Sequence, residues 1–326
     1  MNEIDLFGNT KEDIINDYFL YWKKKGYPNY KSENYNKKKE LDALICFNEN
    51  TIFKNKILKQ TMHSCGFLWT YFPHWIDVKY NNQKTIRELW EDDKKLKELI
   101  EKTYEYEKKF GNGFISENRL RQNSKVYLSK QSVSNFRPTV SKFIYNNFGN
   151  NGVVWDMSCG WGGRLFGFLS SNCKTYIGTE PCVKTFKGLT NLKNDFNIKE
   201  VFLYNKGSED YNPKENSLDL CFTSPPYFDT EKYSEEETQS YIKFNTKNTW
   251  LSNFYEKTIY NCYIGLKKGG YMIINISNTP KHKWLEEETI KISNQIGFIL
   301  TDIFKLELSS ISGKGKKYEP IFIFQK

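Results

Sequence analysis

Thr223-Ser224-Pro225-Pro226-Tyr227-Phe228 combines groups that can hold a planar amine. The stretch closes an apolar run, Leu218 to Phe222, which has the length and flanks of a buried strand. Proline cannot donate to a sheet ladder, so the strand stops here, and two prolines in series keep the chain beyond it rigid. The carbonyls of Ser224 and Pro225 are then free acceptors aimed at whatever docks. Tyr227 and Phe228 add two aromatic faces. Such a platform can stack a planar ring and accept hydrogen bonds from an amino group on it, and a nucleobase with an exocyclic amine fits that description. The same residues would also serve as an ordinary turn after a strand.

A second chemical feature lies upstream. Gly152 to Trp155 reads as an apolar strand, followed by Asp156-Met157-Ser158-Cys159-Gly160-Trp161-Gly162-Gly163-Arg164 and a helix from near Leu165. Glycines permit close backbone approach to a ligand, and a helix N-terminus offers unpaired N–H groups. Strand, glycine-rich turn and helix are the context a nucleotide-binding loop requires. Lys174 to Pro181 then reads as a strand ending in Glu180. A carboxylate there can accept two hydrogen bonds from ribose hydroxyls, or cap the helix that follows.

These residues need a sheet to carry them. Further strands are expected at Val201 to Tyr204, ending at Gly207-Ser208-Glu209-Asp210, and at Tyr271 to Ile276 after a turn over Gly265 to Gly270. Two more are expected near Phe298 to Lys305 and Pro320 to Phe324, separated by Gly313-Lys314-Gly315. Amphipathic helices are expected at Thr139 to Phe148, Val183 to Asn194 and Lys283 to Ile296. The alternation predicts an α/β, doubly wound, mostly parallel sheet with a C-terminal antiparallel hairpin. Residues 1–120 read differently, as a mainly helical, aromatic and basic region, so the chain is expected to divide into 1–120 and 121–326. Tyr18, Phe19, Tyr21 and Trp22 run into Lys23 to Lys25, and Lys37 to Lys39 follow. Such a pattern can stack bases and neutralise phosphates, or form a solvated helix end with its aromatics in a core. Phe67 to Trp75 is aromatic enough to be core or a wedge against a partner. Thr85 to Phe110 reads as one helix, opened by a Thr85/Glu88 capping box and stopped by Gly111-Asn112-Gly113.

Composition bounds the partners. The 326 residues are 17% aromatic with a formal charge of +9, which suits a polyanion or reflects lysine- and asparagine-rich codon usage. No apolar run approaches the length of a membrane span, and Met1 to Asp5 lacks a signal pattern. Seven cysteines without a CxxC read as reduced thiols, which predicts an intracellular protein. His63, Cys65 and His74 lack a fourth ligand at sensible spacing, so no metal is expected.

Ser-Pro-Pro-Tyr at 224–227 resembles motif IV of the DNA amino-methyltransferases, S-adenosylmethionine (SAM) enzymes that methylate N4 of cytosine or N6 of adenine. With the glycine loop, Glu180 and the strand pattern, the chain from Gln131 to Lys326 resembles the class I, Rossmann-like methyltransferase fold. The resemblance implies that Asn135, Arg137 and Pro138 hold the methionine end of SAM, with Arg137 on its carboxylate. It makes Asp156, Ser158, Gly160 and Gly162 the SAM loop, gives Glu180 the ribose hydroxyls, and gives Ser208 or Asp210 the adenine. Ser224, Pro225, Pro226, Tyr227 and Phe228 become the catalytic motif, acting on a base flipped from DNA. The family loop usually carries Phe where this chain has Ser158. Members whose motif begins with Ser lean to N4-cytosine and those with Asp to N6-adenine, so cytosine is favoured. An RNA or protein-glutamine amino-methyltransferase is an alternative, as is a non-catalytic nucleic-acid-binding module that keeps the fold. Any recognition segment would be N-terminal or lie within the loop from Asp229 to Asn248.

Overall fold

A computed structural model of the protein describes residues 10–128, 133–308 and 316–326. Met1 to Asp5, Gln131 and the expected turn Gly313-Lys314-Gly315 lie outside the described residues. The chain packs as two units, residues 1–30 with 73–133, and residues 31–72 with 134–326.

The first unit is built from the helices Lys11–Lys25, Ile86–Glu91, Asp93–Phe110 and Glu117–Asn123. Phe19, Trp22, Trp90, Leu96, Leu99, Ile100, Ile115 and Leu120 form its apolar core. The Thr85/Glu88 capping box is present, with the Glu88 N–H donating to Thr85 Oγ1 at 3.0 Å and the Thr85 N–H to Glu88 Oε2 at 2.6 Å. The single helix expected from Thr85 to Phe110 is two helices. Asp92 takes an extended conformation and its carboxylate caps Lys95 N at 3.2 Å, ending one helix and starting the next. Lys23 pairs with Asp93 at 2.5 Å and Lys25 with Glu117 at 3.0 Å, so both are engaged within the unit.

The second unit carries a nine-stranded sheet. Its strands are β1 (Phe53–Lys54), β2 (Ile57–Lys59), β3 (Val153–Asp156), β4 (Thr175–Thr179), β5 (Glu200–Tyr204), β6 (Leu218–Thr223), β7 (Leu266–Asn275), β8 (Ile299–Leu308) and β9 (Lys317–Gln325). The spatial order is β1-β2-β8-β9-β7-β6-β3-β4-β5. From β7 to β5 all pairings are parallel, and β9 runs antiparallel to both β7 and β8. This is the doubly wound, mostly parallel sheet with an antiparallel hairpin that the strand pattern predicts. The chain runs outward from β3 through β4 to β5, then returns to the other side of β3 as β6. The carboxyl ends of β3 and β6 therefore flank a topological switch point, where open α/β sheets bind ligands.

Two features of this unit differ from expectation. β1 and β2 join the sheet, β2 running parallel to β8, although they lie in the region read as helical. β7 begins at Leu266 instead of Tyr271. Its register against β6 shifts between Leu218 and Leu220, with Gly269 at φ +80° inside the irregular stretch. Of the aromatic run, Phe67, Leu68, Trp69 and Phe72 are buried in this unit and Trp75 is buried in the first.

Candidate active site

Asp156 closes β3 and organises the switch point. The residue is 1% exposed and its side chain accepts four hydrogen bonds. The donors are Arg164 Nε at 2.8 Å, Tyr176 OH at 2.8 Å, Thr223 Oγ1 at 2.9 Å and the Ser158 N–H at 3.2 Å. Arg164, 4% exposed, is the second residue of the Gly163–Leu169 helix and also donates to the Ser158 carbonyl. Burial works against the guanidinium charge, and Asp156 more than offsets it, so Arg164 holds its proton more tightly than usual. Thr223, the last residue of β6, bonds Asp156 and accepts from the Ser158 N–H at 3.1 Å. The glycine loop and the proline motif are thus joined by one buried hydrogen-bond hub. Sequence reasoning named Asp156 but missed Arg164, Tyr176 and Thr223.

The loop itself has two left-handed positions. Gly160 has φ +55° and Gly162 φ +75°, and Gly162 caps the helix that follows. A Cβ on Gly160 would meet the Ser158 carbonyl at 3.7 Å and Arg164 at 3.9 Å, ordinary contacts that leave room for it. Asn135 holds the loop from behind, donating to the Trp161 carbonyl at 2.6 Å and accepting from the Gly163 N–H at 3.1 Å. Its amide is committed to that scaffold. Pro138 starts the Pro138–Phe148 helix. Arg137 Nε donates to Gln60 Oε1 at 3.1 Å and its Nη1 to the Asn135 carbonyl at 3.3 Å.

Glu180 stands past β4, 9% exposed. One oxygen accepts from the Gly160 N–H at 3.1 Å and the other from the Cys182 N–H at 3.0 Å, just before the Val183–Asp195 helix. It is therefore both a cap and a tie to the glycine loop, and each oxygen keeps a second lone pair. Burial pushes its pKa up to about 7, against the two backbone donors that lower it. Ser208 is buried with its hydroxyl 2.7 Å from that of Thr258. Asp210 is exposed and paired with Lys243 at 2.5 Å. Neither side chain is bonded to the hub.

Ser224, Pro226 and Tyr227 are half-buried and Pro225 is buried. No backbone N–H among the described residues donates to the carbonyls of Ser224 or Pro225. Tyr227 directs its hydroxyl to Glu319 Oε2 at 3.4 Å. Phe228 behaves otherwise than expected. It is 8% exposed, and its ring packs 5.2 Å from His282, 5.6 Å from Trp250 and 6.1 Å from Trp284. Its φ of +54° is rare for a bulky residue. Phe228 is buried in the core, and Tyr227 packs half-buried against the same cluster. Burying such a ring contributes about 1.5–3 kcal/mol, enough to offset about 1–2 kcal/mol for the left-handed backbone. Asp229 then anchors the turn, 2.6 Å from His282 Nε2. The loop from Asp229 to Asn248 is tied down further on, where Glu236 accepts from the Val183 N–H at 3.0 Å and Lys243 pairs with Glu209 at 2.9 Å.

Comparison with known proteins gives one family match and several structural likenesses. The model of the N6/N4 methyltransferase family, described as DNA methylase, matches residues 218–326, the C-terminal third of the chain. Residues 218–326 are thus similar to that DNA methylase family. The matched segment begins with β6 and contains the whole Ser224 to Phe228 stretch. No curated protein matches the chain. Among solved structures, N-methyltransferase NodS from Bradyrhizobium japonicum is similar at 11% identity over 58% of this chain and 93% of its own, with a TM-score of 0.43. An O-methyltransferase from Thermotoga maritima is similar at 15% identity over 62% of this chain and 70% of its own, with a TM-score of 0.40. A SAM-dependent methyltransferase from Methanosarcina mazei is similar at 13% identity over 56% and 96%, with a TM-score of 0.40. None of these likenesses says what this chain acts on.

Among the described residues, no three His, Cys, Asp or Glu are grouped to hold a metal, and no helix is long and apolar enough to cross a membrane. None of the seven cysteines forms a disulfide, and Cys46 alone is exposed.

Proposed function

We propose that this protein transfers a methyl group from SAM to the exocyclic amine of a base flipped out of DNA, with N4 of cytosine favoured over N6 of adenine. The observation that carries the reading is the hub at the switch point, where Thr223 joins the methylase motif to Asp156 and the Ser158 N–H of the glycine loop. The residues around it fit SAM. Gly160 leaves a space beside its backbone, and Glu180 keeps lone pairs for ribose hydroxyls. SAM supplies an electrophilic methyl group. The chain's own work is to hold the amine in line with it, which can account for most of the rate. An aromatic amine is a weak nucleophile because its lone pair is delocalised into the ring. Accepting its two N–H groups at Ser224 Oγ and the Pro225 carbonyl localises that pair. No covalent intermediate is needed, so the cysteines have no part. Tyr227, not Phe228, is the ring left to stack on the base.

Tyr227→Ala is expected to lower methyl transfer to DNA about tenfold to a hundredfold, because stacking one base contributes about 1–3 kcal/mol. SAM affinity should stay within about twofold. Transfer of labelled methyl to DNA, RNA and protein in parallel measures this and separates the substrate classes. A parental rate in the variant would reduce the platform to a turn.

Glu180 gives a proton-linked prediction. Its pKa near 7 in the free protein falls when a SAM ribose bonds the carboxylate, so SAM binding should release protons. Near pH 7 the release should be about half a proton, and affinity should rise as pH climbs through that value. Calorimetry in two buffers of different ionisation enthalpy reads the number. Zero release, or proton uptake, would remove Glu180 from the cofactor site.

A further inference from the structure

We propose that Ser224, Tyr227 and Glu319 form a proton exit from the target amine, with Glu319 as the terminal acceptor; this rests on the methyl-transfer reading above. Three oxygens run from the end of β6 to β9. The Ser224 side chain lies beside the Tyr227 hydroxyl, and that hydroxyl donates to Glu319 Oε2 at 3.4 Å. β9 lies antiparallel to β7 with Ile321 opposite Asn275. That register sets the Asn275 amide against both the Pro320 carbonyl, at 3.0 Å, and the Glu319 carboxyl. Glu319 is thus fixed beside the site by two strands of the matched segment. Among the described residues it forms no ion pair with a lysine or arginine. A half-buried carboxylate without a cation is costly, and its position at the end of this line gives it a use.

Burial and the acidic groups facing Glu319 favour its taking a proton. Tyr227 and Glu231 face it from the chain after β6, and Glu286 from the Leu285–Ile296 helix. Its cross-strand neighbour on β8 is Leu306, and Tyr318 precedes it on β9. Burial, with the charges of Glu231 and Glu286, raises its pKa above the ordinary carboxylate value, while bonds from Tyr227 and Asn275 lower it. An acceptor of raised pKa is the better base for neutral solution.

The step balances as follows. The amine lone pair forms the N–CH3 bond, and the S–CH3 pair returns to sulfur, leaving a neutral thioether. The positive charge is now on the amine. One amine proton passes to Ser224 Oγ, the serine proton to the Tyr227 oxygen, and the tyrosine proton to Glu319 Oε2. A neutral methylated amine and a carboxylic acid result.

Single-turnover methyl transfer from labelled SAM to cytosine- and adenine-containing DNA tests this in the full chain. Glu319→Gln and Tyr227→Phe should each slow the step about tenfold or more at pH 7. SAM affinity and DNA KM should be unchanged, and circular dichroism and melting should match the parent. The parental rate should rise with pH through the Glu319 titration, and E319Q should lose that limb. Glu319→Asp should recover part of both. A parental rate and pH profile in E319Q overturn the exit, as does equal damage in E319Q and E319D with weakened SAM binding, which marks a structural role. A parent protein that methylates no substrate overturns the methyl-transfer reading, and the exit with it. That result differs from one in which the parent and E319Q are equally active.

Discussion

Asp156→Ala should lower the unfolding free energy by about 3–5 kcal/mol, a large part of the roughly 5–15 kcal/mol that holds a domain together. The reason is what it leaves behind. Arg164 is 4% exposed and pairs with Asp156 at 2.8 Å. Without the carboxylate a guanidinium stays buried with its charge unpaired, and the Tyr176 and Thr223 hydroxyls lose an acceptor. Asp156→Asn should cost less, because it keeps the shape and two acceptor lone pairs. Adding Arg164→Met to the alanine variant should recover part of the loss, since the stranded charge is then gone. Urea unfolding of the four proteins measures it. A loss under about 1 kcal/mol in Asp156→Ala, or no recovery in the double variant, would show that the pair does not hold the loop.

What the sequence reveals here is what proline and glycine punctuate. The strand before Pro225, the turn from Ser158 to Gly163 and the order of strands follow from local rules, so the fold and the two halves of the site are legible. The hub is not, because its bonds join residues far apart in the chain. Thr223 and Asp156 are 67 residues apart and meet only because β6 returns beside β3. A threonine ending a strand is the one weak signal. Phe228 misleads for a different reason. Two adjacent aromatics read as two faces, but a left-handed residue at a strand end turns one of them inward, and no side-chain rule assigns φ +54° to phenylalanine. β1 and β2 are too short to show a two-residue period. Their turn, Asn55-Lys56, takes φ of +52° and +61° with lysine where glycine is usual, which hides the hairpin. The helix break at Asp92 was open to inspection, since an aspartate three residues before Lys95 is itself a cap signal.

Gly160→Asp should abolish SAM binding, a loss of about a hundredfold or more, while the protein melts within a few degrees of the parent. Two properties of the position separate the effects. Its φ of +55° suits glycine, but aspartate and asparagine enter this region more readily than other residues, so the backbone cost is about 1 kcal/mol. An added Cβ also has room, with its nearest neighbours at 3.7 and 3.9 Å. Gly163 is the contrast. A Cβ there would come within 1.9 Å of the Phe136 carbonyl oxygen, so a substitution at Gly163 damages the fold and says nothing about the ligand. At Gly160 the new side chain fills the room beside the glycine, and its charge lies near Glu180, whose oxygen is 3.1 Å from the Gly160 N–H. Gly160→Asn supplies the same bulk without the charge. It should also lose binding if the space is what SAM needs, and should retain most of it if repulsion alone is at work. Calorimetric titration with SAM reads each affinity. An unchanged affinity in both variants would mean that the glycine loop does not hold the cofactor, and the site would have to be sought away from the β3–β6 switch point.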